Sequence, residues 1–344
     1  LRREIMKKKG LLTILFVFCF LFSLAFVPSA KAQTINLTYS NFFPPTHGHA
    51  IQGANMIKEI EKRTNGRVKI SYFPGGTLTK APVCYDGVVK GISDIGQSCF
   101  AYTRGRFPVM EAVDLPFGYK SGKVATRVAY EFYKKMNPKE LQDVKVLVIH
   151  AHGPGILAAK KDVNSLSDIK GMKIRCTGLS SKLAKYLGAA PVGMPQGQAY
   201  EALQKGVVEG TFCPIEVLKG WKQGEVIDYV IETEALGYTT AMFVVMNKKK
   251  YESLPPDIQK IFDEVGEEWV NVHGDVWNSA DREGLKFTIE LGKNIHGLSP
   301  AQEKKWVQSI SPIILEYQSK MEEKGLPGKK AVKVLRDLVA KYNK

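Results

Sequence analysis

The sequence predicts an α/β protein built as two similar lobes, and three observations point there. A strand–helix–strand pattern runs twice along the chain. One punctuation motif closes both runs: Lys90-Gly91-Ile92-Ser93-Asp94-Ile95-Gly96 is closely matched by Lys205-Gly206-Val207-Val208-Glu209-Gly210-Thr211. The ~310 residues that follow an N-terminal leader also exceed the usual single domain.

The leader is read first because it must be excluded from the fold. Arg2, Arg3 and Lys7 to Lys9 form a basic start, residues 11–27 are an apolar run, and Ala30-Lys31-Ala32 offers small residues for a peptidase cut before Gln33. The alternative, a retained anchor, is disfavoured by that ending and by a run only just long enough to span a bilayer. Cys19 lies inside the apolar run without small residues before it, so it is filler and not a lipid-attachment site. Met6 is an alternative start to Leu1. The mature chain is therefore expected to be exported and free of a second long apolar stretch.

In the first run, residues 35–40 alternate as a strand and residues 49–64 form a helix ended by Asn65-Gly66. Residues 68–73 are a second strand, residues 82–90 a helix stopped by Gly91, and Asp94-Ile95-Gly96 a third strand. In the second run, residues 144–150 are a strand and Ser165 to Asp168 a capped short helix. Residues 172–175 form a strand, 180–187 a helix, Pro191-Val192 a short strand, and 195–205 a helix leading into Thr211-Phe212-Cys213-Pro214. Each repeated motif ends a helix at glycine, which tolerates the left-handed cap, and then opens a strand. Ligands of open α/β sheets bind beyond the carboxyl ends of strands, so residues 97–102 and 213–216 should face one cleft. The rest is mostly helical: a long amphipathic helix from Pro255-Pro256, a capped helix from Ser299 that Pro312 should kink, and a basic amphipathic helix after Gly328.

Charge and cysteines exclude some functions. Setting aside six basic residues and one acidic residue of the leader lowers the formal +15 to +10. The lysines are scattered or on helix faces instead of interleaved with aromatics, so a nucleic-acid partner is not expected. Cys84, Cys99, Cys176 and Cys213 match no zinc spacing, and their pairing is left open. His47-Gly48-His49 and His150-Ala151-His152 would point alternate rings to opposite faces of a strand, with no acidic cluster to complete a metal shell. Gly153-Pro154-Gly155 lacks the amide and the acid of a dinucleotide fingerprint, and no Gly-x-Ser-x-Gly, Walker or kinase signature appears. No cofactor, metal or catalytic residue is assigned.

Five stretches, taken in order, resemble one family. They are Tyr72 to Leu78, Asp94-Ile95-Gly96, Asp114-Leu115-Pro116-Phe117, Leu166 through Arg175, and Tyr200 through Gly210. Together they resemble the DctP-type extracytoplasmic solute receptors of TRAP (tripartite ATP-independent periplasmic) transporters. The resemblance implies a two-lobed periplasmic binding-protein fold with cross-connected, mixed sheets and a long helix spanning both lobes. It also implies closure over an organic acid and delivery to a small and a large membrane subunit.

It further implies that Arg175, ending the Lys173-Ile174-Arg175 strand, anchors a carboxylate, a role for which the planar guanidinium fork suits. Further ligand contacts are expected from Phe42, Phe43 and Trp221, from Cys99 and Tyr102, and from His152, Thr177, Cys213 and Glu216. Many relatives carry another arginine after the strand that here ends at His150, but this chain has none in residues 151–157. Fewer charges and more rings suggest one carboxylate on an apolar or aromatic body. Some relatives place a metal beside the ligand, which gives Glu216 a rival role.

The expected organisation is residues 1–32 leader, 33–150 lobe one, 151–241 lobe two, 242–281 a return to lobe one, and 282–344 spanning and C-terminal helices packed mainly on lobe two. Hinges are expected at residues 150–155 and 242–245. Two alternatives stand: the receptor of an ATP-driven importer, and a periplasmic enzyme that would recruit Tyr102, His152 and Glu216.

Overall fold

Residues 34–344 are described by the structure, a computed structural model, so the leader and its cut site lie outside the described residues. Lobe one carries strands β1 (Ile35–Asn41), β2 (Val68–Phe73), β3 (Ile95–Cys99) and β4 (Val144–Ala151), with helices α1 (Gly48–Arg63), α2 (Cys84–Val89) and α3 (Gly122–Met136). Lobe two carries β5 (Gly155–Ala159), β6 (Lys173–Cys176), β7 (Ala190–Gly193), β8 (Gly210–Pro214) and β9 (Tyr229–Glu232), with α4 (Ser180–Tyr186) and α5 (Ala199–Gln204). The chain then returns through β10 (Ala241–Asn247), runs along α6 (Pro256–Glu290), adds β11 (Asn294–Gly297), and ends in α7 (Pro300–Ile310), α8 (Pro312–Glu323) and α9 (Gly328–Tyr342).

Two mixed sheets result, ordered β2-β1-β3-β10-β4 and β11-β9-β5-β8-β6-β7. β1 and β3 are parallel, as a crossover through a helix requires. β10 inserts antiparallel to both β3 and β4. Its Ala241-Met242-Phe243-Val244-Val245-Met246 run is buried along its length, the composition of a strand covered on both faces.

Local sequence accounts for the helices. In α1, Ala50, Gly53, Met56, Ile57 and Ile60 form the buried stripe, and the helix stops where Asn65 (φ 50°) and Gly66 (φ 73°) turn left-handed. The 35-residue α6 lies against both lobes at two glycines. A Cβ on Gly266 would come within 2.6 Å of the Leu147 carbonyl in β4, and one on Gly284 within 2.4 Å of the Ile215 carbonyl in lobe two. One rigid rod thus bridges the lobes, and residue 282 is no break but a point inside it. Among the described residues no helix is long and apolar enough to cross a membrane.

Four expectations need correction. The return crossing lies in residues 233–240, not 242–245, because the former link β9 to β10 while the latter are the buried middle of β10, paired on both sides. Pro312 does more than kink its helix: α7 ends and α8 begins at Ser311, since proline lacks the amide that would continue the ladder. α7 packs on lobe two, and α8 touches it only through Glu316, which accepts from Lys182 (3.1 Å) and Tyr186 among the described residues. α8 and α9 turn back to lobe one, where Tyr317 donates to the Pro108 carbonyl (2.9 Å) and the buried Val332, Leu335 and Leu338 face of α9 lies against α3. Finally, His47 and His49 are not on a strand; His47 caps α1. Cys84, Cys99, Cys176 and Cys213 are all buried and unpaired.

Candidate ligand cleft

The carboxyl ends of β1, β3, β6 and β8 converge between the lobes. β1 runs on into Phe42 and Phe43, and β3 ends at Cys99 before a 3₁₀ turn that carries Tyr102. In lobe two, β6 places Arg175 opposite Thr211 of β8 and Val192 of β7. β8 ends at Cys213-Pro214, and a single helical turn, Val217–Gly220, then sets Glu216 at its start and Trp221 at its end.

These ends enclose a cavity with about 410 Å³ of empty space, its solvent-continuous part included. All ten residues expected from the sequence line it: Arg175, Phe42, Phe43, Cys99, Tyr102, His152, Thr177, Cys213, Glu216 and Trp221. The wall also contains Gln196, Phe212, Tyr238, Thr240 and Met242, which sequence reasoning missed. Tyr238 and Thr240 belong to the return crossing, whose position was read too late in the chain; the others sit on core-like stretches with no local signal of exposure to a cleft.

Arg175 is only 3% exposed. Its Nε donates to the Met194 carbonyl (3.2 Å) and its Nη1 to the Phe212 carbonyl (3.4 Å). Among the described residues no carboxylate lies within salt-bridge distance of it. Neutral carbonyls orient the fork without compensating its charge. Arg104 and Arg106 do not line this cavity. Arg104 donates to the Ser181 hydroxyl (2.9 Å) at the cleft mouth, and Arg106 pairs with Asp86 (2.7 Å) and Asp143 (2.9 Å).

The opposite pole is a buried pair. His47 Nε2 lies 2.9 Å from Glu216 Oε2, with the residues 3% and 2% exposed. His47 Nδ1 accepts the His49 amide (3.2 Å), which puts the ring proton on Nε2 and makes it the donor to the carboxylate. This bond links lobe one to lobe two, as does the backbone N–H of Gln196 donating to Tyr102 Oη (3.2 Å). Aromatic rings fill the space between: Trp221 stacks on Phe42 (centroids 6.0 Å, 24°), Tyr102 meets Phe42 edge-on (5.7 Å, 84°), and His47 stacks on Phe43 (4.4 Å, 25°).

Burial shapes the titratable groups. It pushes the Cys213 thiol up to about 12, with Arg175 opposing and Glu216 adding to the rise, so both poles are felt at one wall residue. Burial likewise lowers His152 to about 4 and raises the Tyr102 phenol.

Behind Phe43 lies a cluster that sequence could not show, His49, His150 and His273. His49 and His273 share an Nδ1–Nδ1 hydrogen bond of 2.7 Å, and His150 stacks on His273 (4.3 Å, 6°). His150 is held at both nitrogens, by Trp277 Nε1 (3.1 Å) and Gln97 (3.2 Å). Parallel stacked rings direct their lone pairs alongside one another, whereas a metal needs them convergent in the ring planes. Burial lowers all three, His273 to about 3, so the stack is neutral.

Known proteins share this architecture. A family model described as DctP, bacterial extracellular solute-binding protein, family 7, matches residues 40–320. A 2,3-diketo-L-gulonate-binding periplasmic protein of Escherichia coli is 28% identical over 240 residues, 67% of this chain and 71% of that protein. A TRAP solute-binding protein from Rhodoferax ferrireducens, solved with copurified benzoate, superposes with a TM-score of 0.85 at 29% identity, covering 90% of this chain and 99% of that one. A marine metagenome TRAP protein specific for aromatic acid ligands, solved with 3-hydroxybenzoate, gives a TM-score of 0.86 at 30% identity, covering 91% and 100%. Both structural relatives are TRAP receptors, which sets aside the receptor of an ATP-driven importer. A match across most of the chain, on a two-lobed fold with an arginine-bearing cleft, establishes that the chain belongs to the DctP family of bacterial extracellular solute-binding proteins, the organic-acid receptors of TRAP transporters.

Proposed function

We propose that this receptor takes a monocarboxylate with an aromatic or branched apolar body, and that Arg175 anchors the carboxylate. The carrying observation is the buried Arg175 guanidinium with no acidic partner among the described residues. A desolvated, uncompensated charge costs several kcal/mol, and an incoming carboxylate removes that cost while two parallel N–H···O bonds fix its orientation. A second carboxylate would find no such partner, because Arg106 is paired with Asp86 and Asp143, Arg104 does not line the cavity, and Glu216 would repel it. Phe42, Tyr102 and Trp221 offer ring faces and edges to an apolar body. The aromatic acids bound by the two structural relatives support the same reading.

Receptors of this family work with membrane permease components. In our reading, closure over the acid creates the surface that a small and a large permease subunit recognise, the leader is cut before Gln33, and no metal assists Glu216. The ligand leaves chemically unchanged.

The test is a thermal-shift screen of the purified mature chain with succinate, malate, benzoate, aromatic 2-oxo acids and branched 2-oxo acids. Mass spectrometry of the recovered acid accompanies it. Stabilisation by an aromatic or branched monocarboxylate, recovered intact, is expected. Stabilisation by succinate or malate alone would overturn the reading.

A further inference from the structure

The cavity has two charged poles, and Arg175 uses only one. Glu216 is as buried as Arg175, lines the same cavity, and stands on the far side of the aromatic layer that begins at Phe43. Its Oε2 receives the His47 proton, while no hydrogen bond holds Oε1 among the described residues. His47 cannot rotate to release this arrangement without giving up the cap it makes on the His49 amide. The carboxylate is therefore fixed by one donor and keeps one oxygen free, at a residue 2% exposed that lines this cavity and also borders an open groove with Thr46 and Lys219. A free carboxylate oxygen in a cavity wall takes a donor from whatever enters the cavity.

We infer that the physiological ligand carries, remote from its carboxylate, a hydrogen-bond donor that Glu216 accepts. Resting on the monocarboxylate reading above, this narrows the substrate class to acids with a distal hydroxyl or ammonium group. Glu216 then does two things. It selects for the donor, and by like-charge repulsion it rejects a second carboxylate at that end of the cavity.

The amide variant makes a sharp test, because His47 stays a donor. In Glu216→Gln the amide oxygen must face His47, which turns the –NH₂ into the cavity and reverses the polarity of the subsite. The probes are benzoate, 3-hydroxybenzoate, 4-hydroxybenzoate, 3-methoxybenzoate and 3-(aminomethyl)benzoate, titrated by calorimetry. In the wild type at least one donor-bearing probe should bind about 10–100-fold tighter than benzoate and 3-methoxybenzoate. Whether the best is a hydroxybenzoate or the aminomethyl acid tells hydroxyl from ammonium. In Glu216→Gln the donor advantage should collapse: the aminomethyl acid, a donor only, should lose most, and the methoxy acid, an acceptor only, should close on the hydroxy acids, whose hydroxyl can still accept. A merely structural Glu216 would weaken all probes alike and leave the donor advantage unchanged, which would overturn the inference. The wild-type ranking is decisive without the variant: benzoate and 3-methoxybenzoate binding as tightly as every donor-bearing probe would also overturn it, yet leave the monocarboxylate reading standing. Failure of all five probes to bind would instead count against that reading itself.

Discussion

Replacing Arg175 by lysine keeps the positive charge and removes the fork, so it isolates geometry from electrostatics. In the wild type, Nε and Nη1 are turned toward the Met194 and Phe212 carbonyls at 3.2 and 3.4 Å, which holds the guanidinium plane in one orientation. A lysine ammonium is shorter and carries its three protons on one atom. It can meet one carboxylate oxygen but not two in parallel. The loss is one charge-assisted hydrogen bond, about 1.5–3 kcal/mol, plus part of the cost of a second oxygen left dry and unpaired. The total is about 2–4 kcal/mol, or roughly 30- to 1000-fold in Kd. Calorimetric titration with benzoate, or with the best acid from the thermal-shift screen, measures this directly. The ligand-free melting temperature should change little, because the bonds lost there are to neutral carbonyls. Binding within about threefold of wild type would refute the reasoning and remove Arg175 from the carboxylate site.

Two further outcomes follow from the same geometry. The lobes are joined across the cleft by His47–Glu216, Tyr102–Gln196 and Arg104–Ser181, and the chain crosses between them at residues 152–154 and 233–240, so ligand should close a hinge there. Small-angle scattering should show a smaller radius of gyration with ligand than without; an unchanged radius would argue against closure. Asp281 stands on α6 beside the first crossing, with its Oδ1 enclosed and unpartnered. Burial, and then the charge of Glu216, raise its carboxyl to about 7. An acid whose folded pKa is raised leaves the native state holding more protons, so stability is lost as pH climbs from about 4 to 7 and levels off above. Asp281→Asn should therefore be more stable than wild type at pH 8 by about 1–3 kcal/mol and little different at pH 4. A stability difference that does not change with pH, measured by urea unfolding across that range, would exclude Asp281 as the titrating group.

Much of the fold was legible because it is written in short-range patterns. Asn65-Gly66 stops α1, and the Gly91 and Gly206 punctuations open β3 and β8 at the cleft, since a left-handed glycine and an alternating strand are local preferences. Arg175 was legible through its motif, and its companions through the rule that strand ends face the ligand. The polarity of the cavity was not legible. His47 and Glu216 are 169 residues apart, and His49 and His273 are 224 apart. Neither pairing has a periodicity to announce it.

Likewise, the basic amphipathic pattern of α9 shows that the helix must bury one face, but not that the face would be α3's rather than lobe two's. The sequence by itself determined the strand–helix runs that lead to each glycine punctuation, the two-lobed plan and most of the residues that end at the cleft, but it did not announce α3, β5, β9, β10 or β11. Only the tertiary structure decided that Arg175 is left without an acid while Glu216 is tied to His47. Compensation of a buried charge depends on which distant side chain folding brings within 3 Å, and no local preference encodes that.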